Sequence, residues 1–290
     1  MKKRKTLQDL TIKDNFLFGA VMRIEENCRG FLEMVLGFPI ECVVVSKEKS
    51  MIYHPEYKGV RLDIYAKDEK HTHYNVEMQI RKKKDLGRRS RYYHSQIVME
   101  ALESGETYEN VPNTFVIFVC DFDPFGKGFY CYTFQNICQE DPDVKLEDGC
   151  CTIFLSTRGK NPESVPIEMV KFLKFVMADL KESEEDFEDD LVTQFQNTIR
   201  QIKADREMGE RYMIFEEMLR EEKQEGKVEA TKEYIFELLE NLGEIPEELK
   251  ESIAAIGELE KLKDLFKLAA RVDSVHSFTE EARGYFISEE

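Results

Sequence analysis

Val60-Arg61-Leu62-Asp63-Ile64-Tyr65-Ala66 and Tyr74-Asn75-Val76-Glu77-Met78-Gln79-Ile80 decide the fold of this chain. Both stretches are rich in β-branched and aromatic residues and read as strands. Lys67-Asp68-Glu69-Lys70-His71-Thr72-His73 between them is polar and suits a hairpin loop. A hairpin folded symmetrically about Lys70 sets Asp63 across from Glu77 and Arg61 across from Gln79. Opposed residues of an antiparallel pair point to one face, with Cβ atoms roughly 5 Å apart. Gln79 is two residues from Glu77 and shares that face. Two facing carboxylates among apolar neighbours repel, and a divalent cation between them removes the cost. The competing reading is a surface pair, salt-bridged to Arg61 or Lys82.

The basic run Arg81-Lys82-Lys83-Lys84-Asp85-Leu86-Gly87-Arg88-Arg89-Ser90-Arg91 starts just beyond Gln79, with seven basic groups and one acidic group. A polyanion drawn to it arrives beside the carboxylates. The chain as a whole carries a net charge of −17, which excludes a protein that coats nucleic acid nonspecifically. The opposite charge is concentrated elsewhere: Glu182 to Asp190 holds seven acidic groups.

Outward from the hairpin, Cys28 to Leu36 has helical spacing with Gly37 as a stop, and Glu41 to Ser46 reads as a strand. Ser50 to Tyr57 is a further candidate strand. A helix is expected from Leu86 to Ser104, with Tyr92, Tyr93, Ile97, Val98 and Leu102 on its apolar side. Thr114 to Cys120 is continuous and apolar, the pattern of a central strand. Strands are also expected over 128–134 and 151–156. The order gives an α/β domain, a mixed sheet with flanking helices, over residues 1–165. Beyond Pro166 the chain reads as an α-helical region, 166–290, with a charged, Gly-containing break at 221–227. Its amphipathic helices suit a core or a homo-oligomer surface; Glu216, Glu217, Glu221, Glu222 and Glu225 would repel phosphates.

Other chemistries find no support. The seven cysteines are odd in number and lack metal-site spacing, so they are expected as reduced thiols. His71 and His73 are expected as loop residues. There is no Gly-rich phosphate loop for a nucleotide cofactor and no nucleophile elbow. No apolar run of about 18 residues is present, so no membrane span is expected. The basic start lacks the apolar stretch of a signal peptide, and a cytoplasmic location is the expectation.

An Asp, a hairpin, Glu-x-Gln and then an Arg/Tyr-rich helix resembles the PD-(D/E)XK nuclease superfamily, and within it the bacterial family of recombination-promoting nucleases and transposases. Asp14-Asn15-Phe16-Leu17-Phe18, Arg91-Tyr92-Tyr93-His94-Ser95 and Thr114 to Phe122 resemble further segments of that family. The likeness covers roughly residues 9 to 160. It implies a restriction-endonuclease-like core and a metal-dependent endodeoxyribonuclease acting in recombination or transposition. Asp63, Glu77 and the Met78 carbonyl would hold Mg²⁺ or Mn²⁺, and Gln79 would complete the catalytic set. Superfamily members commonly have Lys where Gln79 stands; Arg61, opposite it, is the expected source of the missing charge. An acid of the first helix is also implied, Glu33 or alternatively Asp14. Lys82, Lys83, Arg88, Arg89 and Arg91 would contact DNA phosphates. The alternative is a nuclease-derived module that binds DNA or protein without cutting.

Overall fold

His73–Gln79 (β5) forms the buried spine of the fold: each of its seven residues is buried. The computed structural model describes residues 5–46, 50–51, 60–102 and 104–286. The other strands of the main sheet are Val43–Ser46 (β1), Ile64–Asp68 (β4), Thr114–Cys120 (β6), Cys131–Phe134 (β7) and Cys150–Ser156 (β8). They form a six-stranded sheet in the order β1-β4-β5-β6-β8-β7. β5, β6 and β8 run parallel, and the flanking pairs are antiparallel. This is the expected α/β restriction-endonuclease-like core. The apolar run 114–120 is central, as its pattern predicts.

The hairpin has the expected register, Ile64 opposite Val76 and Lys67 opposite His73. Its turn is built by one carboxylate. Asp68 accepts from the backbone N–H groups of Lys70 (2.9 Å) and Thr72 (2.8 Å) and from the Tyr74 hydroxyl (2.6 Å). His71 takes the left-handed conformation there, at φ +59°. His73 is no loop residue: it starts β5 and hydrogen-bonds Tyr65 Oη through Nδ1 at 2.9 Å. Arg61 does not extend this hairpin. Val60–Arg61 (β3) pairs instead with Ser50–Met51 (β2) in a separate two-stranded sheet. The rest of the candidate strand 50–57 lies outside the described residues.

Leu86–Ala101 (α3) packs on β6. Tyr93 and Ile97 join Tyr65, Val116, Phe118 and Phe154 in one apolar cluster. Phe118 is level with Glu77 across the β5–β6 ladder, so the helix covers the sheet face that carries Glu77.

Asn15–Met22 (α1), Glu25–Leu36 (α2), Ile167–Met177 (α4) and Asp190–Ala204 (α5) pack together. Phe172 sits 5.4 Å from Phe31 and 5.6 Å from Phe195, ring centre to ring centre. Asn27, buried on α2, donates to Thr198 at 3.1 Å and accepts from Gln194 at 2.8 Å. These contacts carry the first compact unit to Tyr212, past the expected boundary at 165. The second unit, residues 213–290, has its own core of Ile235, Leu239, Ile253, Leu262, Leu265 and Phe278. Arg206–Glu240 (α6) runs unbroken through the stretch 221–227, where a break was expected. Gly226 costs about 1 kcal/mol in a helix interior. Pairs such as Arg211–Glu207 and Lys232–Glu229 along the same helix offset part of that. Glu247–Ala254 (α7), Leu259–Ala269 (α8) and Val275–Phe286 (α9) follow.

Phe172 is fully buried between α2 and α5. Phe172→Ala is expected to destabilise the first unit by about 3–5 kcal/mol, read by urea unfolding of the full chain. A loss below about 1 kcal/mol would mean that α4 is not part of that core.

Candidate active site

Asp63 lies at the bend just before β4, and Glu77 lies in β5, so the backbone alone brings them together. Each holds the other's strand: the Asp63 N–H donates to Glu77 Oε1 at 3.3 Å, and Asp63 Oδ2 accepts from the Met78 N–H at 3.2 Å. Asp63 is half-buried, whereas Glu77 is only 2% exposed. Asn75, two residues earlier on the same face, donates its amide to Glu77 Oε1 at 3.3 Å. Its Oδ1 is buried and accepts no hydrogen bond.

The cation of the site comes from α3. Arg89 reaches Glu77 Oε2 through Nη2 at 3.2 Å and Gln79 Oε1 through Nη1 at 3.3 Å. Tyr93 holds the guanidinium in place: it accepts from Arg89 Nε at 3.2 Å and also from Nη2, and donates to Glu77 Oε2 at 3.3 Å. Positions 89 and 93 are one helical turn apart, which puts both side chains on the face turned to the sheet. Arg89 is thus turned inward to the carboxylates. The Arg61 side chain lies outside the described residues.

Burial pushes the Glu77 carboxyl up to about 7; the Asp63 charge adds to the rise, and Arg89 opposes it. Desolvation and like charge outweigh the Arg89 ion pair at Glu77. A site of this kind suits a divalent cation: a buried acid held near neutrality, a second acid beside it, and an unsatisfied buried acceptor at Asn75. Among the described residues, no group of three or more His, Cys, Asp or Glu side chains is placed to hold a metal. The protein ligands of an ion would be Asp63 and Glu77, supplemented by backbone or amide oxygen.

The other expected residues are more dispersed. Glu33 accepts from the Ile40 N–H at 2.9 Å and pairs with Arg29 at 3.4 Å. Asp14, just before α1, accepts from the Thr11 N–H at 2.9 Å and pairs with Lys5 at 3.4 Å. Both acids therefore have local structural partners. Lys82, Lys83, Arg88 and Arg91 are exposed, as a phosphate-contacting set requires.

Sequence reasoning missed a second group of charges at the carboxyl ends of the parallel strands. The Asp121 N–H donates to the Gln79 carbonyl at 2.9 Å, and the Thr157 N–H donates to the Cys120 carbonyl at 3.0 Å. The Asp121 carboxylate gathers Lys13 at 3.6 Å and Arg158 at 3.3 Å. Ligands of parallel sheets bind outside such strand ends. The only sequence signal was a polar residue directly after each apolar strand.

The raised Glu77 carboxyl makes stability depend on pH. The folded state holds a proton that the unfolded state releases near the ordinary value of about 4.3. Its contribution is complete below that pH and is lost as pH rises through about 7. Without divalent metal, stability should therefore fall by a few kcal/mol, at most about 4, over this window. Glu77→Gln should flatten the fall, and Mg²⁺ should restore stability at neutral pH. Thermal melts across the window check this; an equally steep fall in Glu77→Gln would locate the titration elsewhere.

Residues 16–229 match the family model described as PD-(D/E)XK nuclease family transposase. Searches of the curated proteins and of the solved structures gave no match. The family match spans more than half of the chain and includes the whole of the mixed sheet, Asp63, Glu77 and Arg89. This chain belongs to the PD-(D/E)XK nuclease family transposases.

Proposed function

We propose that the chain is a Mg²⁺-dependent endodeoxyribonuclease that hydrolyses DNA phosphodiester bonds during recombination or transposition. The observation that carries this reading is the Asp63–Glu77 pair, a half-buried acid beside a buried one, each bonded to the backbone of the other's segment, with one guanidinium facing both Glu77 and Gln79. Asp63, Glu77 and the Met78 carbonyl are the proposed ligands of Mg²⁺, or of Mn²⁺ in its place. A divalent ion held by these groups would supply Lewis-acid chemistry toward the phosphate and would lower the pKa of a bound water.

The chain's own residues meet the remaining needs. The transition state of phosphodiester hydrolysis spreads negative charge over the phosphate oxygens, and fixed cations stabilise it. Gln79 carries no charge, and Arg89 supplies the cation that a lysine would bring. Since Arg89 donates to Gln79 Oε1, the Gln79 amide N–H groups are the side that can donate to phosphate or water. Tyr93 positions Arg89 from behind. Lys82, Lys83 and Arg88 on the rim, with Lys13 and Arg158 at the strand ends, suit contacts to flanking phosphates, which weaken with salt.

The second reading, a nuclease-derived binding module, draws support from the same ion pair. Arg89 already neutralises Glu77 in part without metal, which would stabilise a site that no longer cuts. Nicking of supercoiled plasmid in Mg²⁺ separates the two. Asp63→Ala and Glu77→Ala should abolish cutting, and Arg89→Ala should slow it by about 10²–10³-fold. Arg89→Lys should retain more activity than Arg89→Ala. Equal residual cutting in all variants would sink the assignment. DNA binding without cutting in the unsubstituted chain would favour the module.

The same proposal places homo-oligomer contacts on the C-terminal helices, where α6 exposes Met213, Ile214, Met218 and Leu219. Sedimentation of Met218→Glu against the parent chain tests it; a monomeric parent chain excludes that role.

A further inference from the structure

A second concavity lies between the other side of α3 and the strands β7 and β8. It has a volume of about 660 Å³, within the range of small-molecule sites. Its floor is aromatic. Phe125, Phe134 and Phe154 form a mutually packed group with ring centres 5.1–5.7 Å apart. Phe125 is 43% exposed and Phe134 is 47% exposed, so ring surface is open to an occupant. The α3 wall is polar and rigid. His94 bridges Thr114 through Nδ1 at 2.7 Å and Thr152 through Nε2 at 3.0 Å, and Ser90 Oγ lies 2.6 Å from Thr152 Oγ1. Burial holds the His94 imidazolium down to about 4, so this wall is neutral at physiological pH. Among the described residues, the one cation of the lining is Arg91. At another part of the lining, Asn136 gives its amide N–H to Asp148 at 2.7 Å. That carboxylate repels anions, and Asn136 keeps its amide oxygen as an acceptor.

We propose that this pocket holds one unstacked nucleotide, its base against Phe125 and Phe134 and its phosphate on Arg91. The charge distribution orients it. A phosphate is attracted at Arg91 and repelled near Asp148, while the Asn136 oxygen can accept from an exocyclic amino group of a base. Every base has a π-face, so aromatic side chains bind single strands with little sequence preference. The position links pocket to active site. Glu77, Phe118 and Phe154 are level on three adjacent strands, which puts Phe154 two strands from Glu77, about 10 Å. The same helix presents Arg89 to one site and Arg91 to the other. The inference rests on the DNA reading for a strand as the source of the nucleotide; a free nucleotide shares the chemistry.

Fluorescence anisotropy of the full-length chain in EDTA tests it, with a short labelled deoxyadenosine oligonucleotide and, separately, a duplex of mixed sequence. Phe134→Ala should weaken single-strand binding about tenfold, the loss of one stacking contact, and leave duplex binding unchanged. Arg91→Ala should weaken single-strand binding and lower its salt dependence. Deoxyadenosine monophosphate identifies the source. If it binds in a Phe134-dependent manner and the oligonucleotide does not, the occupant is a free nucleotide. If the oligonucleotide alone binds so, the occupant belongs to a strand. Unaltered binding of both probes in Phe134→Ala and Phe125→Ala, with parental melting temperatures, overturns the pocket. Plasmid cutting that still depends on Asp63 would then leave the nuclease reading standing. Loss of that cutting with Phe134-dependent binding intact would overturn hydrolysis alone.

Discussion

The charge of Glu77, carried on a strand whose every residue is buried, is the constraint on which the rest of the site depends. A carboxylate buried to this degree is stable only with a partner or a proton. Here it has a partial answer from each neighbour: the Asp63 backbone N–H, the Asn75 amide, the Tyr93 hydroxyl and the Arg89 guanidinium. Asp63, across the hairpin, works against all of them. The balance leaves Glu77 poised between charged and neutral at physiological pH. An added positive charge in the gap would favour the charged form of Glu77.

The sheet fixes these groups in place. A slip of one residue in the β4–β5 register would turn Glu77, Asn75 and Gln79 to the opposite face and break the pair. The Asp68 turn holds the register at one end, and the parallel ladder to β6 holds β5 along its whole length. α3 closes the face with Tyr93 and Ile97 in the core. Arg89 and Tyr93 are carried to Glu77 by the same turns that bury Ile97.

The sequence discloses the parts of this arrangement that depend on local pattern. Period-two alternation and a polar loop give the hairpin, and symmetry about Lys70 gives the facing acids. The apolar run 114–120 is legible as a central strand because a parallel strand covered on both faces needs no alternation. What sequence does not disclose is three-dimensional in origin. Arg61 was expected opposite Gln79, but the β4–β5 ladder ends at Ile64 opposite Val76, and the Arg61 backbone pairs in β3 with β2. Arg89 looked like a surface residue because its neighbours Arg88 and Arg91 are surface residues. Which of several arginines on a helix turns inward depends on the rotation of that helix about its axis, and tertiary packing determines that rotation. The division of the compact units after Tyr212 has a similar origin: the helices 167–204 look like any amphipathic pair until Phe31 and Asn27 are known to receive them.

Gln79 and Arg89 are best understood as one device. A lysine at position 79 would set an ammonium beside the guanidinium that now donates to the Gln79 oxygen at 3.3 Å. Two cations at that separation repel strongly in a half-buried site. Gln accepts from Arg89 on one side and keeps donors on the other, so it tolerates the arginine and relays it. With the charge on the helix instead of the strand, the guanidinium is anchored by Tyr93 and forked between Gln79 and Glu77, a geometry a lysine ammonium cannot reproduce. The absence of a lysine from the Glu-x-Gln strand is then no defect in the charge balance of the site. It is the compensating half of an arginine that arrives from the adjacent helix.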